Sequence, residues 1–219
     1  MEEDEEVVFK ILILGNQNVG KTSFILRYCE NKFDENLLSS IGVDLKTKSI
    51  KRHKKNILLK IFDTAGQEKF HSISKNYFKS SDGIILLYDI SCLKSFQAIK
   101  SWIDSIKEVV DLDEIGLIIL GNKSDLPEEN KEVSNLMKED LEKELKIKIM
   151  ETSAKDNINI EESLNKLIDK IYELRFGIKL NNTLQKMQTI KLNKKGIKSK
   201  KHNCFLSNLF KNKPNEMTH

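Results

Sequence analysis

Val8 to Thr22 reads VFKILILGNQNVGKT, and the fold turns on this one stretch. Val8 to Leu14 is a nearly continuous apolar run, the pattern of a strand covered on both faces. It runs straight into Gly15-Asn16-Gln17-Asn18-Val19-Gly20-Lys21-Thr22, which matches G-x-x-x-x-G-K-[ST]. Two glycines permit a turn whose N–H groups converge on phosphate oxygens, and the following helix N-terminus adds its dipole. Lys21 would neutralise β and γ phosphates, and the Thr22 hydroxyl would bind Mg²⁺. Gly15, Asn18, Val19, Gly20 and Ser23 complete the expected phosphate-binding set. The plainer alternative is a bare Gly-containing strand-to-helix turn; the complete motif, set between an expected strand and an expected helix, favours the phosphate-binding reading.

Short apolar runs alternate with longer amphipathic stretches along the rest of the chain, the signature of βαβ units. Further strands are expected at Gly42 to Ile50, Ile57 to Asp63, Gly83 to Asp89, Ile115 to Gly121 and Ile147 to Glu151. Helices are expected at Lys21 to Glu30, Phe70 to Lys79, Ser95 to Val110, Lys131 to Leu145 and Ile158 to Phe176. The link KRHKKN between the second and third strands is too short for a crossover helix, so that pair must be an antiparallel hairpin. The fold class is therefore α/β, a three-layer P-loop NTPase type with helices on both faces of a mostly parallel sheet. Three parts are expected: an acidic extension (1–6), a nucleotide-binding domain (7–176) and a flexible basic tail (177–219).

Other strand ends carry the remaining chemistry, as expected where ligands bind beyond the carboxyl ends of parallel strands. Asn122-Lys123-Ser124-Asp125 follows LIILG. The Asp125 carboxylate can accept from both N1–H and the exocyclic amine of guanine, a donor pair that adenine lacks. Asn122 would meet the N7 edge, and the Lys123 stem would lie along the ring. Glu151-Thr152-Ser153-Ala154-Lys155 fits a second guanine loop, with the Ala154 N–H reaching O6. Asp63-Thr64-Ala65-Gly66-Gln67-Glu68 ends the third strand. There Asp63 would hold Mg²⁺ through water, the Gly66 N–H would sense the γ phosphate, and Gln67 would orient the attacking water.

GNQNVGKT, FDTAGQE, GNKSD and ETSAK resemble, in order, the nucleotide-binding motifs of the Ras superfamily. IGVDL (Ile41 to Leu45), KIFDTAGQEKF (Lys60 to Phe70), NYFKS (Asn76 to Ser80) and YDIS (Tyr88 to Ser91) resemble the segments that mark Rab-type GTPases. The resemblance implies a six-stranded sheet with one antiparallel strand and two nucleotide-sensing switches. It implies a slow GTPase with GTP or GDP and Mg²⁺ bound, stimulated by an activating protein and acting in vesicle trafficking. Phe33 falls where the family places an aromatic over guanine, and Ser40 where it places a Thr that closes onto Mg²⁺. Exchange factor, activating protein and effectors would engage Leu37 to Leu45 and Ala65 to Lys79. A monomer is expected, cytoplasmic or peripheral on the cytosolic face of endomembranes.

Several residues depart from the family pattern. Ser40 lacks the methyl group of the usual Thr. Gln17 replaces a small residue beside the γ phosphate, which raises a rival reading: a GTP-locked, non-hydrolysing scaffold. Leu45, Phe62 and Tyr77 stand at the Rab aromatic triad, where only Tyr77 is typical. The chain ends NEMTH, without a terminal Cys for prenylation.

Net charge is +4 but unevenly spread: ten Lys against Glu216 give the segment from Gly177 onward +9, leaving −5 elsewhere. An acidic body argues against nucleic acid as a partner. The Lys-rich tail, with Phe205, Leu206, Leu209 and Phe210, suits weak contact with anionic membrane. The acidic start MEEDEE does not read as a secretory signal. Cys29, Cys92 and Cys204 show neither metal-ligand nor disulfide-framework spacing, and His53, His71, His202 and His219 are scattered.

Overall fold

The computed structural model describes residues 6–35, 43–64 and 71–177, without the side chains of 71–75. The chain divides into two units, Met1–Phe176 and Gly177–His219, and of the second only Gly177 is described. The tail, most of the first expected switch and Ala65 to Phe70 of the second lie outside the described residues.

In chain order the first unit runs β1 (Val7–Leu14), α1 (Lys21–Glu30), β2 (Val43–Arg52), β3 (Lys55–Thr64), α2 (His71–Ser80), β4 (Gly83–Asp89), α3 (Leu93–Lys107), β5 (Gly116–Asn122), α4 (Asn135–Leu145), β6 (Ile149–Glu151) and α5 (Ile160–Phe176). The strands form one sheet in the order β2-β3-β1-β4-β5-β6. Only β2 is antiparallel, paired to β3 from Val43↔Thr64 to Arg52↔Lys55. The other pairings are parallel. Because β3 lies on one side of β1 and β4 on the other, β1 stands at the point where the winding reverses. The crevice beyond the ends of strands at such a point receives ligands in open α/β sheets.

Apolar residues in the central strands explain the layering. Every residue of β4 is buried. On one face Leu12, Leu14, Ile84, Leu86 and Tyr88 pack with Phe96, Ile99, Trp102, Ile103 and Ile106 of α3 and Leu141 of α4. On the other, α5 lies close enough to β4 and β5 that a Cβ on Gly83 or Gly116 would meet Ile171 at 2.6 and 2.8 Å. Burying one such aliphatic side chain contributes about 1.5–3 kcal/mol, so α5 is a principal clamp on the sheet.

Several boundaries differ from the sequence expectation by one to four residues, among them α3 (Leu93–Lys107), β6 (Ile149–Glu151) and α5 (Ile160–Phe176), and two of the differences have a clear physical reason. The β2–β3 hairpin does not open into a charged loop at KRHKKN; pairing continues to Arg52 and Lys55. The turn itself is His53-Lys54, with φ of 53° and 61°, as two-residue hairpin turns require. Arg52 reaches across to both oxygens of Asp169 on α5 at 2.6 Å, and His53 Nε2 lies 2.7 Å from the same carboxylate. The fourth helix begins at Asn135 rather than near Lys131. Ser134 caps it by accepting from Met137 N, and the Glu132 and Val133 N–H groups donate to Ile90 O instead of entering the helix.

Candidate functional site

Five strand ends, Leu14, Thr64, Asp89, Asn122 and Glu151, carry the loops singled out by sequence, and specific bonds draw those loops together. The turn after β1 is shaped by its glycines. Gly15 has φ +144° and Gly20 φ +92°, and a Cβ would sit 2.0 Å from Leu87 O at the first and 2.4 Å from Asn122 Nδ2 at the second. Any other residue must displace a backbone carbonyl or the Asn122 side chain.

Inside this turn Lys21 is 5% exposed, and its Nζ donates to Gly15 O at 2.9 Å and Asn16 O at 2.8 Å. Burial pulls its ammonium down to about 8, against the opposing pull of Asp63. A buried cation held by two carbonyl oxygens is suited to an incoming phosphate. Thr22 Oγ1 donates to Asp63 Oδ2 at 2.6 Å, and Asp63 is 2% exposed. Val19 is buried, Ser23 half-buried in the first turn of α1, and Gln17 and Asn18 are exposed at the rim. Asn18, at φ 63°, is left-handed like the glycines around it. Trp102 reaches the turn from α3, donating from Nε1 to Asn16 Oδ1 at 3.4 Å.

Asn122 is 1% exposed and joins two loops at once. Its Nδ2 donates to Val19 O at 2.9 Å, and its Oδ1 accepts from Ala154 N at 3.3 Å. Sequence reading gave this residue to the base edge alone; the structure adds that it ties the phosphate turn to the loop after β6. Asp125 Oδ1 accepts from Ser153 Oγ at 2.6 Å, and the same hydroxyl accepts from Asp156 N at 2.9 Å. Asp125 and Ser153, 28 residues apart, are thus brought into one cluster. Lys123, at φ 69°, sets its Nζ 2.6 Å from Asp89 Oδ2, while Asp89 Oδ1 accepts from Ser91 N and Oγ. Lys155 pairs with Glu35 at 2.8 Å on the surface. Phe33 is half-buried with the Arg27 guanidinium 5.8 Å from its ring centre. Ser40, Gly66 and Gln67 lie outside the described residues.

Arg27 and Asp89 were missed as site residues. Arg27 carries no motif signal, although it sits six positions beyond Lys21 on the same helix. Asp89 lies inside YDIS, but nothing local shows that its carboxylate meets Lys123.

The arrangement presents a buried cation and a glycine-shaped helix N-terminus at one end, and a carboxylate with an ordered loop at the other. The first suits phosphate; the second suits a base edge with two adjacent donors. Comparison with known proteins identifies the family. A model of the Ras family matches residues 10–173. The chain is 41% identical over 168 residues to human Ras-related protein Rab-3A, covering 77% of this chain and 76% of that one. It is 40% identical over 166 residues to bovine Ras-related protein Rab-3C, covering 76% and 72%. It is 38% identical over 191 residues to rat GTP-binding protein Rab-3D, covering 87% and 84%.

Proposed function

The chain belongs to the Ras family, as a Rab-type small GTPase of vesicle trafficking that hydrolyses GTP to GDP, and we propose how its own residues divide that work. The observation that carries the proposal is the Asn122 bridge between the phosphate turn and the Ser153–Lys155 loop, with Asp125 fixed beside it. Gly15, Asn18, Val19, Gly20, Lys21, Thr22 and Ser23 hold the phosphates. Asn122, Lys123, Asp125, Ser153, Ala154 and Lys155 hold guanine, with Phe33 over its face. Equal affinity of the protein for ATP and GTP in a competition assay would defeat the guanine assignment.

Thr22 and Asp63 place hard oxygens 2.6 Å apart, the first to ligate directly and the second through water, which fits Mg²⁺, an ion that takes few protein ligands and completes its shell with phosphate and water. Bound there with Ser40, the ion would neutralise charge on the β and γ phosphate oxygens. Lys21 Nζ would leave the carbonyls of Gly15 and Asn16 for the same phosphates. Gly66 would donate its N–H to the γ phosphate and Gln67 would orient water, steps that need positioning more than a strong base.

Gln67→Leu is expected to slow hydrolysis on the order of 10²-fold or more, with GTP affinity nearly unchanged, because the contact forms chiefly in the transition state. Single-turnover hydrolysis of bound GTP measures this. An unchanged rate in that variant, with no rise in Gln17→Ser, would mean that hydrolysis is limited elsewhere.

A second expectation concerns pH. A bound phosphate favours the Lys21 ammonium, so nucleotide affinity should fall as pH rises through about 8, by up to about tenfold per pH unit above it. The stability of the nucleotide-free protein should move the other way. Its Lys21 lies below the ordinary 10.5, so burial of the charge destabilises fully below about 8 and fades toward 10.5. Titrating labelled GDP from pH 7 to 9.5 tests this, and a flat profile identical to that of Lys21→Met would refute it.

In the cell the GTP form would recruit effectors through Leu37 to Leu45 and Ala65 to Lys79, where an exchange factor and an activating protein also act on the monomer. Among the described residues no helix is long and apolar enough to cross a membrane. The Lys-rich tail supplies weak, salt-sensitive contact with the anionic cytosolic face of endomembranes; vesicle binding unaffected by salt would exclude that role.

A further inference from the structure

We infer that Arg27 is a positioning residue for base recognition: from α1 it sets the Ser153–Lys155 loop and, through that loop, the carboxylate of Asp125. The inference rests on the guanine reading of Asp125 above and goes beyond it by naming what holds that carboxylate in place.

Arg27 Nε donates to Ala154 O at 2.7 Å, and a terminal guanidinium nitrogen donates to Lys155 O at 2.9 Å. The other terminal nitrogen donates to Asn31 O at 3.1 Å and Asn31 Oδ1 at 3.2 Å, where α1 ends. One planar cation thus spans two successive carbonyls of a loop 127 residues away and the end of its own helix. A guanidinium suits this because its N–H groups form a rigid fork, which an ammonium cannot copy.

A peptide unit is planar, so fixing a carbonyl also fixes the N–H on the other side of that bond. The Lys155 carbonyl belongs to the peptide whose N–H is that of Asp156. That N–H donates to Ser153 Oγ at 2.9 Å. With one lone pair so occupied, the Ser153 hydroxyl turns its proton to Asp125 Oδ1 at 2.6 Å. The relay therefore runs from Arg27 through the 155–156 peptide and the Ser153 hydroxyl to the carboxylate that meets the base. Ser153 is fully buried, so water does not cheaply replace the bonds that its hydroxyl makes to Asp156 and Asp125. Arg27 touches no substrate atom in this scheme; its effect on recognition passes through Asp125.

The distinguishing measurement compares GTP with inosine triphosphate on the full-length protein. Hypoxanthine keeps N1–H and O6 but lacks the exocyclic amine, so the GTP preference over inosine triphosphate reports how well the Asp125 carboxylate is placed. Arg27→Met, which keeps the apolar stem, should lower GTP affinity about tenfold and narrow that preference at least about threefold, the effect of loosening a hydrogen bond of ordinary strength. Arg27→Lys should fall between, since one ammonium cannot bridge both carbonyls. Combining Arg27→Met with Ser153→Ala should narrow the preference no further than Ser153→Ala alone, since both break the same relay.

An unchanged preference in Arg27→Met overturns the inference. So does an equal loss for the two nucleotides, which would mark Arg27 as a general support of the fold. If Arg27→Met does not fold, Arg27→Lys decides on the same criteria. A parent protein that does not prefer GTP to inosine triphosphate and to ATP would instead defeat the guanine reading itself.

Discussion

Asp125→Asn is expected to weaken GTP binding by about 2–4 kcal/mol, roughly 30- to 700-fold, while making xanthosine triphosphate the better ligand. In the structure the Asp125 carboxylate already accepts the Ser153 hydroxyl at 2.6 Å and sits among groups fixed by Asn122 and Arg27. Its remaining acceptor capacity is what guanine N1–H and the 2-amine would use. An amide in its place either turns its NH₂ toward those donors or turns it toward Ser153, so one side of the site is mismatched in each orientation. Xanthine, with an oxygen at position 2, accepts from that NH₂. Competition against labelled GDP gives both affinities. A variant that binds GTP as the parent does, and xanthosine triphosphate no better, would remove Asp125 from the base edge.

Thr22→Asn should separate the diphosphate from the triphosphate. Thr22 Oγ1 lies 2.6 Å from Asp63 Oδ2 at the start of α1, the two residues that would hold Mg²⁺. Replacing the hydroxyl by a longer amide removes a ligand and crowds Asp63. Mg²⁺-dependent affinity for a non-hydrolysable GTP analogue is expected to fall at least about 10–100-fold, the range for losing even a supporting group of a metal site. GDP should suffer less, because it lacks the γ phosphate whose charge Mg²⁺ would help to neutralise. Titrating both nucleotides with and without Mg²⁺ gives the comparison, and equal losses for the two would show that Thr22 serves the phosphate turn without serving the metal.

The phosphate turn was legible in sequence because its requirements are written into single residues. Only glycine tolerates φ of +144° with a carbonyl 2.0 Å from where a Cβ would stand, as at Gly15. The parallel core was legible in the same way, since strands covered on both faces must be apolar throughout, as β4 is. The β2–β3 turn was not. A run of cations reads as loop, yet at an edge hairpin Lys51 points into solvent while Arg52 and His53 meet Asp169. The second role of Asn122 and the role of Arg27 were hidden for a different reason. Each bonds to backbone groups far along the chain, and a backbone group carries no side-chain identity for a motif to record.

Asn122 spans the seam between the two proposed grips on the nucleotide, bonding to Val19 O on one side and Ala154 N on the other. A nucleotide is a bivalent guest, phosphate at one end and base at the other, and its avidity depends on how well the spacing of the host's two grips is fixed in advance. With that spacing fixed, capture of either end presents the other at a high effective concentration. Guanosine alone or pyrophosphate alone forgoes that gain, so discrimination against fragments of the nucleotide lies in the bridge as much as in either half-site.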